Sequence, residues 1–167
     1  MIGLILCAGR GTRLKEETKD KPKCMVDVGG KPILEHIADH LNKHGIWRIV
    51  VNLHLFPEVV MKHFGQRFLY LYEPVPMGEF ATTSLMRPWF GEPLIVMNGD
   101  TITNLNLIKY CRGVDKMRFI STQTKRHMGT TYSPAHFKLE GDLEVDCEYF
   151  DCGTPEKLKL AREHYGL

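Results

Sequence analysis

The 167-residue sequence predicts a single α/β domain built around a parallel sheet. Short apolar runs of strand length, such as Ile2–Leu6 and Ile49–Leu53, alternate with segments that repeat apolar residues at helical spacing, as in βαβ units. The first run leads into a glycine-rich loop, Leu6–Leu14, and the ligands of parallel sheets bind where strands end. An apolar fraction of 43% gives a chain of this length a sizeable core.

The first half of the chain alternates strand and helix. Ile2–Leu6 is predicted as a buried strand, and a long polar loop connects it to a short apolar return at Met25–Val28. A glycine pair ends this return, and Pro32 suits the first position of a helix that runs to about Lys43. Ile49–Leu53 follows as the second strand. The apolar residues at helical spacing are Ile33, Leu34, Ile37, Ala38 and Leu41.

The middle of the chain continues this alternation. We expect a short helix over Glu58–Phe64, a third strand over Phe68–Tyr72 and a rigid turn over Glu73–Gly78. A helix over Phe80–Met86 must stop before the proline that follows it, and Pro93–Met97 is predicted as the fourth strand.

The last third has a weaker pattern. Arg118–Thr124 and Leu143–Phe150 are predicted as strands, whereas residues 126–140 suit either a hairpin or an ordered loop. A final helix is predicted after Thr154, which would cap it, with Pro155 at its first position.

Composition argues against several classes of function. A net charge of +2 gives no reason to expect a nucleic acid or a membrane as partner. Positive charge is instead concentrated between Arg10 and Lys23, which indicates a local anion site. The five cysteines are odd in number and include no Cys-x-x-Cys pair, which favours a reducing compartment. No apolar run reaches transmembrane length, so we expect a cytoplasmic protein.

The loop Leu6–Leu14 has the composition of a phosphate-binding loop. Its glycines let the backbone approach a ligand closely and aim successive N–H groups into one concavity. Reading from Gly9, the dinucleotide-binding pattern would need a third glycine where Leu14 stands, and the Walker pattern would need Gly-Lys-Ser/Thr. The loop therefore predicts anion binding without matching either pattern.

Four polar stretches follow predicted strands and should meet at one edge of the sheet. They are the first loop, Glu73–Gly78, Asn98–Asp100 and Asp151–Thr154. Asp100 and Asp151 could hold a divalent cation through oxygen and leave positions open for phosphate oxygens, as Mg²⁺ prefers. This arrangement suggests phosphoryl or nucleotidyl transfer, in which a protein mainly positions reactants and neutralises charge.

Six motifs occur in a fixed order along the chain. They are Leu6-x-Ala8-Gly9-x-Gly11-Thr12-Arg13-Leu14, Pro22-Lys23, Gly30-Lys31-Pro32-Ile33-Leu34, Glu73-Pro-x-Pro-x-Gly78, Asn98-Gly99-Asp100 and Asp151-x-Gly153-Thr154-Pro155. In this order they resemble the sugar-1-phosphate nucleotidyltransferase (NDP-sugar pyrophosphorylase) family. The resemblance is dense over residues 1 to about 105 and returns at about 145 to 167. It implies a Rossmann-like mixed, mostly parallel sheet flanked by helices. It also implies attack by a phosphomonoester oxygen on the α-phosphorus of a nucleoside triphosphate, with Mg²⁺ as cofactor and pyrophosphate as leaving group.

The resemblance implies a role for each matching residue. Arg13 would hold the leaving pyrophosphate and Lys23 would neutralise charge on the α-phosphate, which are the two catalytic roles. Asp100 and Asp151 would hold the metal. A carboxylate at Glu73, where the family reads the base, suits guanine or cytosine, so GTP or CTP is slightly favoured. The residues implied in nucleotide binding are Leu6, Ala8, Gly9, Gly11, Thr12, Glu73, Gly78, Asn98 and Gly99.

The chain departs from the family between Asp100 and Asp151. Only about fifty residues separate these acids, far fewer than in the family, and the Glu-Lys-Pro motif whose lysine binds the sugar phosphate is absent between them. We expect Lys125 and Arg126 to bind the acceptor phosphate instead. The acceptor would then be small, exposed, or supported by another subunit of a homo-oligomer.

Three functions remain open at this point. The main expectation is transfer of a nucleoside monophosphate to a small phosphorylated acceptor, most simply a sugar 1-phosphate. A cytidylyltransferase acting on a choline- or amine-type phosphate or phosphonate is the alternative within this class. A non-catalytic nucleotide- or sugar-binding regulatory subunit is the alternative outside it. Retention of Arg13, Lys23, Asp100 and Asp151 favours an enzyme.

Other candidate ligands have simpler interpretations. His36, His40 and His44 lie four apart, but at the sides of the apolar stripe of their helix, which favours a solvated flank over a metal site. Asp146 and Glu148 lie close enough to the second predicted metal ligand to replace it if the strand register shifts by two.

Overall fold

The computed structural model describes residues 1–86, 89, 92–107, 109, 116–121, 127–132, 142–145 and 147–166. The strands in chain order are β1 (Ile2–Leu6), β2 (Asp27–Val28), β3 (Lys31–Pro32), β4 (Ile49–Leu53), β5 (Leu69–Tyr72), β6 (Leu94–Asn98), β7 (Thr101–Thr103), β8 (Lys116–Ser121), β9 (His127–Tyr132), β10 (Asp142–Val145) and β11 (Tyr149–Asp151). The helices are α1 (Ile33–Lys43), α2 (Pro57–Phe64), α3 (Glu79–Met86) and α4 (Pro155–Tyr165). Short 3-10 turns span Thr12–Thr18, Lys23–Met25 and Gly65–Arg67.

The main sheet, within the described residues, has seven strands in the order β10-β8-β9-β6-β1-β4-β5. β1 pairs in parallel with both β4 and β6, and β4 pairs in parallel with β5. β9 runs antiparallel to both of its neighbours, whereas β10 is parallel to β8. Two small ribbons, β2–β3 and β7–β11, lie outside this sheet. The prediction of a mixed, mostly parallel sheet flanked by helices is confirmed.

The core lies on both faces of the central strands because successive side chains of a strand point to opposite faces. On one face, Ile5 and Val51 belong to the same buried cluster as the apolar stripe of α1. On the other face, Leu4 and Val50 cluster with Met86 of α3. All five residues of the predicted α1 stripe are buried. None of the helices in the described part of the chain has the length and apolar character that a membrane span requires.

Two sequence predictions in the last third need correction or completion. The single strand predicted over Leu143–Phe150 is wrong, because β10 pairs with β8 at an edge of the main sheet whereas β11 pairs with β7 in a separate ribbon. The strand predicted over Arg118–Thr124 begins two residues earlier, as β8, and pairs with β9 in an antiparallel arrangement. Residues 133–141, which include the end of the predicted hairpin or loop, lie outside the described residues.

Candidate active site

A cleft of about 500 Å³ opens where β1 and β6 end. The carboxyl ends of parallel strands are where ligands bind in such sheets. Eleven of the residues predicted to act in nucleotide binding, catalysis or metal binding line it, together with Asn52, Pro76, Glu79 and Gly153. Those eleven are Leu6, Ala8, Gly9, Gly11, Thr12, Arg13, Lys23, Gly78, Asn98, Gly99 and Asp100.

The loop after β1 is held in a defined shape by its own backbone. Gly11 adopts a left-handed φ of 64°, a conformation that favours glycine. A Cβ on it would lie only 3.1 Å from Cβ of Lys23 and 3.2 Å from Cγ2 of Thr18. The Thr18 hydroxyl donates to the Gly11 carbonyl at 3.1 Å, and Leu14 is buried below the loop. These contacts within the chain fix the conformation of the loop.

The end of β6 is tied to the start of this loop. The backbone N–H of Gly99 donates to the Leu6 carbonyl at 3.0 Å. Cys7 lies beside this contact and also lines the cleft. Burial raises the pKa of the Cys7 thiol well above its ordinary value, which favours the protonated thiol over the thiolate.

Cations and acids converge around Gly153. A Cβ on this residue would lie 2.6 Å from Oδ1 of Asp151, 3.1 Å from Nζ of Lys23 and 3.2 Å from Nη2 of Arg13. Lys23 also forms an ion pair with Asp100. Arg13, Lys23 and Asp100 line the cleft, whereas Asp151 does not line it and lies next to Gly153, which does. The four residues come from four separate stretches of sequence.

The carboxylate of Asp151 is fixed by its own neighbours. Register in the β7–β11 ribbon places Asp151 opposite Thr101, directly after Asp100. Its Oδ1 accepts from the Gly153 N–H at 2.9 Å and its Oδ2 pairs with Nζ of Lys157 at 2.7 Å. Burial raises the pKa of Asp151, but Lys157, the Gly153 N–H and Lys23 outweigh that effect and lower it below the ordinary value. Asp151 is therefore ionised at neutral pH.

The prediction that the Glu73 carboxylate reads a base does not agree with its position. Glu73 is 1% exposed and is not among the residues that line the cleft. Its two carboxylate oxygens accept hydrogen bonds from Asn52, Met77 and Thr82. The preference for guanine or cytosine rested on an open acceptor at this residue, so it loses that support.

Sequence reasoning missed Asn52, which lines the cleft although it lies in a buried strand. The signal was available, since a polar residue next to the end of an apolar strand is unusual.

Sequence reasoning also missed Arg162 of α4, which makes a bidentate ion pair with Glu17 at 2.7 and 3.0 Å. This pair attaches the 3-10 turn Thr12–Thr18, which continues the first loop, to α4, and no local pattern in the sequence indicates it.

The profile of the MobA-like NTP transferase domain matches residues 3–103, more than half of the chain. The chain belongs to the family of MobA-like NTP transferase domains. The matched residues of this transferase domain include the whole first loop, the turn before α3 and the end of β6.

Known relatives agree with the sequence resemblance. The D-glycero-alpha-D-manno-heptose 1-phosphate guanylyltransferase of Campylobacter jejuni is 35% identical over 114 residues, which cover 65% of this chain and 52% of the relative. The UTP–glucose-1-phosphate uridylyltransferase AglF of Haloferax volcanii is 35% identical over 112 residues, which cover 64% and 46%. The chain therefore spans about half the length of these curated relatives.

A solved structure extends the comparison to the fold. A protein of Bacillus anthracis described as a glucose-1-phosphate thymidylyltransferase superposes with a TM-score of 0.84 at 17% identity, over 99% of this chain and 95% of that one. At this identity the likeness shows a shared fold. The Rossmann-like architecture predicted for the transferase domain is confirmed.

The acids of the transferase domain suit a magnesium ion better than a softer metal. Asp100 and Asp151 offer carboxylate oxygens, which Mg²⁺ prefers together with waters and phosphate oxygens. Within the described residues, no three His, Cys, Asp or Glu side chains are grouped to hold a metal. His36 and His44 contact backbone carbonyls, whereas Nε2 of His40 is buried, so the prediction of a solvated flank is wrong for His40.

Two predicted residues of the transferase domain cannot be placed. Lys125 and Arg126, expected to bind the acceptor phosphate, lie outside the described residues. Asp146, one alternative metal ligand, lies outside them as well. The other alternative, Glu148, is occupied elsewhere, since its carboxylate accepts from Nδ2 of Asn104 at 3.1 Å.

Proposed function

We propose that the chain transfers a nucleoside monophosphate from an NTP to a small phosphorylated acceptor, most simply a sugar 1-phosphate. The products are an NDP-sugar and pyrophosphate. The observation that carries this proposal is the convergence of Arg13, Lys23, Asp100 and Asp151 beside a glycine-rich loop. Membership of an NTP transferase family and the activities for which both relatives are named support it.

The loop supplies the triphosphate site. Ala8–Thr12 line the cleft, and their backbone N–H groups would donate to the phosphate oxygens. Arg13 at the far end of the loop can bind two oxygens of the leaving pyrophosphate through its planar guanidinium. The nucleotide would therefore lie with its terminal phosphates toward Arg13 and its α-phosphate toward Lys23.

Lys23 provides the charge that the reaction needs at the α-phosphate. As the acceptor oxygen attacks, negative charge grows on the α-phosphate oxygens, and a fixed cation beside them lowers the barrier. Lys23 is largely buried and already held by Asp100, so its ammonium needs little reorganisation. A triphosphate gives this cation a second anionic partner.

Asp100 and Asp151 are the residues proposed to hold Mg²⁺. A bound Mg²⁺ neutralises phosphate oxygens and orients them for in-line displacement. Both carboxylates now pair with lysines, and Asp151 is kept ionised by Lys157 and the Gly153 N–H. The ionised form is the one that binds a hard cation.

The sequence slightly favours GTP or CTP, but burial of the Glu73 carboxylate removes the reason to rank them above ATP and UTP. The relative from Campylobacter jejuni is named a guanylyltransferase, whereas the relative from Haloferax volcanii is named a uridylyltransferase, so all four common bases belong in the test. With the Glu73 carboxylate buried, we propose that the base meets the backbone of the turn that ends at Gly78.

Lys125 and Arg126 remain the proposed cations for the acceptor phosphate. A second subunit that completes the acceptor region also remains a proposal, which light scattering of the purified chain would test.

We further propose a cytoplasmic location. The described cysteines, Cys7, Cys24, Cys147 and Cys152, are thiols rather than disulfides, which is the form expected in a reducing compartment.

A pyrophosphate-release assay tests the function. Each of ATP, GTP, CTP and UTP is combined with Mg²⁺ and one of several acceptors, including hexose 1-phosphates, a heptose 1-phosphate and phosphocholine. We expect release with at least one sugar 1-phosphate and its loss when EDTA is added. Release only with phosphocholine would favour the cytidylyltransferase alternative. No release with any pair, despite NTP binding, would leave the regulatory function standing.

A further inference from the structure

A buried polar network connects the phosphate loop to the turn after β5. Asn52 is next to last in β4 and only 3% exposed, and the β1–β4 register pairs it with Leu6. Its Oδ1 accepts a hydrogen bond of 2.6 Å from the backbone N–H of Cys7, and its Nδ2 donates one of 2.9 Å to Oε1 of Glu73. One side chain therefore contacts both the start of the loop and Glu73.

Glu73 extends this connection to the turn and to α3. Its Oε1 also accepts from the Thr82 hydroxyl at 2.6 Å, and its Oε2 accepts from the Met77 N–H at 2.9 Å. Its backbone is fixed as well, because its N–H donates to the Leu53 carbonyl at 2.7 Å and its carbonyl accepts from Nδ1 of His54 at 2.9 Å. The turn thus has a fixed position relative to β4.

Burying this polar network contributes less to folding stability than an apolar cluster of the same size would. In the described part of the chain no Lys or Arg pairs with the Glu73 carboxylate, which is held by neutral donors. Burying a carboxylate in this way is usually less stable than packing apolar side chains in its place. What the network provides is a rigid link between the element at the phosphate end of the cleft and the element at its other end.

We propose that Asn52 and Glu73 are positioning residues for the nucleotide, an inference that rests on the proposed function. They hold the phosphate loop and the turn at residues 74–78 at the spacing that separates the triphosphate from the base. They act through the Cys7 N–H at one end and the Met77 N–H at the other. Asn52 also lines the cleft directly.

A polarity swap tests this link. Asn52→Asp places a second carboxylate against Glu73, and Glu73→Gln leaves one of the surrounding donors facing another donor. The double variant Asn52→Asp/Glu73→Gln restores the pattern with donor and acceptor exchanged. Its new amide can donate to the new carboxylate and to the Thr82 hydroxyl, while its oxygen accepts from Met77.

The measurement is the Kd of ATP, GTP, CTP and UTP by calorimetry, with circular dichroism to confirm folding. We expect each single variant to weaken binding of the preferred nucleotide by about tenfold, since a charge-assisted hydrogen bond is lost at a buried group. The double variant should recover to within about threefold of the wild type. The acceptor KM at saturating NTP should stay unchanged in every folded variant.

Thr83→Val is the matched control. Thr83 is the neighbour of Thr82 in α3, is fully buried, and its hydroxyl has no hydrogen-bond partner among the described residues. Loss of the Thr83 hydroxyl should leave the Kd of the nucleotides unchanged. If a single variant does not fold, Thr82→Val replaces it, because it removes one donor to Glu73 and should raise the Kd by about threefold.

The outcomes separate this inference from the function on which it rests. Folded single variants with the wild-type Kd, or a double variant that binds no better than the weaker single one, would overturn the positioning role and leave the proposed function intact. A wild-type protein that binds none of the four nucleotides would overturn both.

Discussion

Lys23 and Asp100 form an ion pair at the cleft, although 77 positions of sequence separate them. The Lys23 side chain is only 12% exposed, so water and salt screen this pair less than a surface pair. The pair keeps an ammonium group ordered beside the glycine-rich loop that lines the cleft. A phosphate that enters the cleft therefore meets a cation that is already in place.

Replacing Lys23 with Met should abolish most of the activity while keeping the fold. Loss of one fixed group that stabilises transition-state charge typically lowers kcat by roughly 100- to 1000-fold. Lys159→Met is the matched control, because Lys159 lies on α4, is 77% exposed and pairs with Glu163 at 3.7 Å. It should leave kcat unchanged. Equal kcat values for the two variants in the pyrophosphate-release assay would contradict the role of Lys23.

Asp151→Asn should weaken metal binding in the presence of nucleotide. The substitution keeps the shape of the side chain and removes the charge that a divalent cation needs. We expect the affinity for Mn²⁺, followed by electron paramagnetic resonance, to fall by on the order of tenfold or more. Glu148→Gln removes a nearby exposed carboxylate that accepts from Asn104, and it should not change this affinity. The reverse ranking of the two variants would assign the metal to Glu148.

Much of the fold could be predicted from local patterns. β1 and β4 match their predicted bounds because each is a short apolar run whose side chains pack on both faces of the sheet. α1 matches its predicted range because its apolar stripe is a local sequence feature, as are Pro32 before the helix and Gly45 after it. The first loop was predictable for the same reason, since a glycine-rich loop at a strand end suggests anion binding by itself. The roles of Lys23 and Gly78 came from the family resemblance instead.

The remaining features depend on contacts that no local pattern records. Leu143–Phe150 has one strand-like composition, yet its two ends pair with different partners. Glu73 follows a strand and precedes a turn, which fits an exposed carboxylate equally well. Its burial follows from the position of β4 between β1 and β5, which sets Asn52 between the loop and Glu73. Strand order and register decide such contacts.

Two adjacent threonines of α3 should respond differently to the same substitution. Thr82→Val removes a donor at 2.6 Å to the buried Glu73 carboxylate, so the free energy of unfolding should fall by about 1.5 to 3 kcal/mol. Thr83→Val removes a buried hydroxyl without a partner among the described residues and should be neutral or stabilising. Urea denaturation measures both. Equal destabilisation would show that the Thr82 hydrogen bond is not the cause.

The buried ring of His40 should make the fold sensitive to mild acid. Burial, with a smaller contribution from the nearby His44, lowers the pKa of His40 from 6.5 to about 4. Between these values the unfolded chain binds a proton that the folded chain does not. Stability should therefore fall as pH drops from about 6.5 toward 4, by up to about 1.4 kcal/mol per pH unit from this group.

His40→Leu isolates this contribution. Because leucine does not titrate, the stability of the variant should change less steeply over the same pH range, whereas above about pH 6.5 its pH dependence should match that of the wild type. Urea denaturation at several pH values gives both slopes. Parallel slopes for variant and wild type below that pH would contradict the assignment to His40.

The central claim is that the chain directs attack to the α-phosphorus of a nucleoside triphosphate. The most direct measurement follows radiolabel from NTP labelled at either the α- or the γ-phosphorus, incubated with the protein, Mg²⁺ and a sugar 1-phosphate. The account predicts that the α label appears in the NDP-sugar and the γ label in pyrophosphate. Transfer of the γ label to the acceptor, with the α label left in a nucleoside diphosphate, would contradict it.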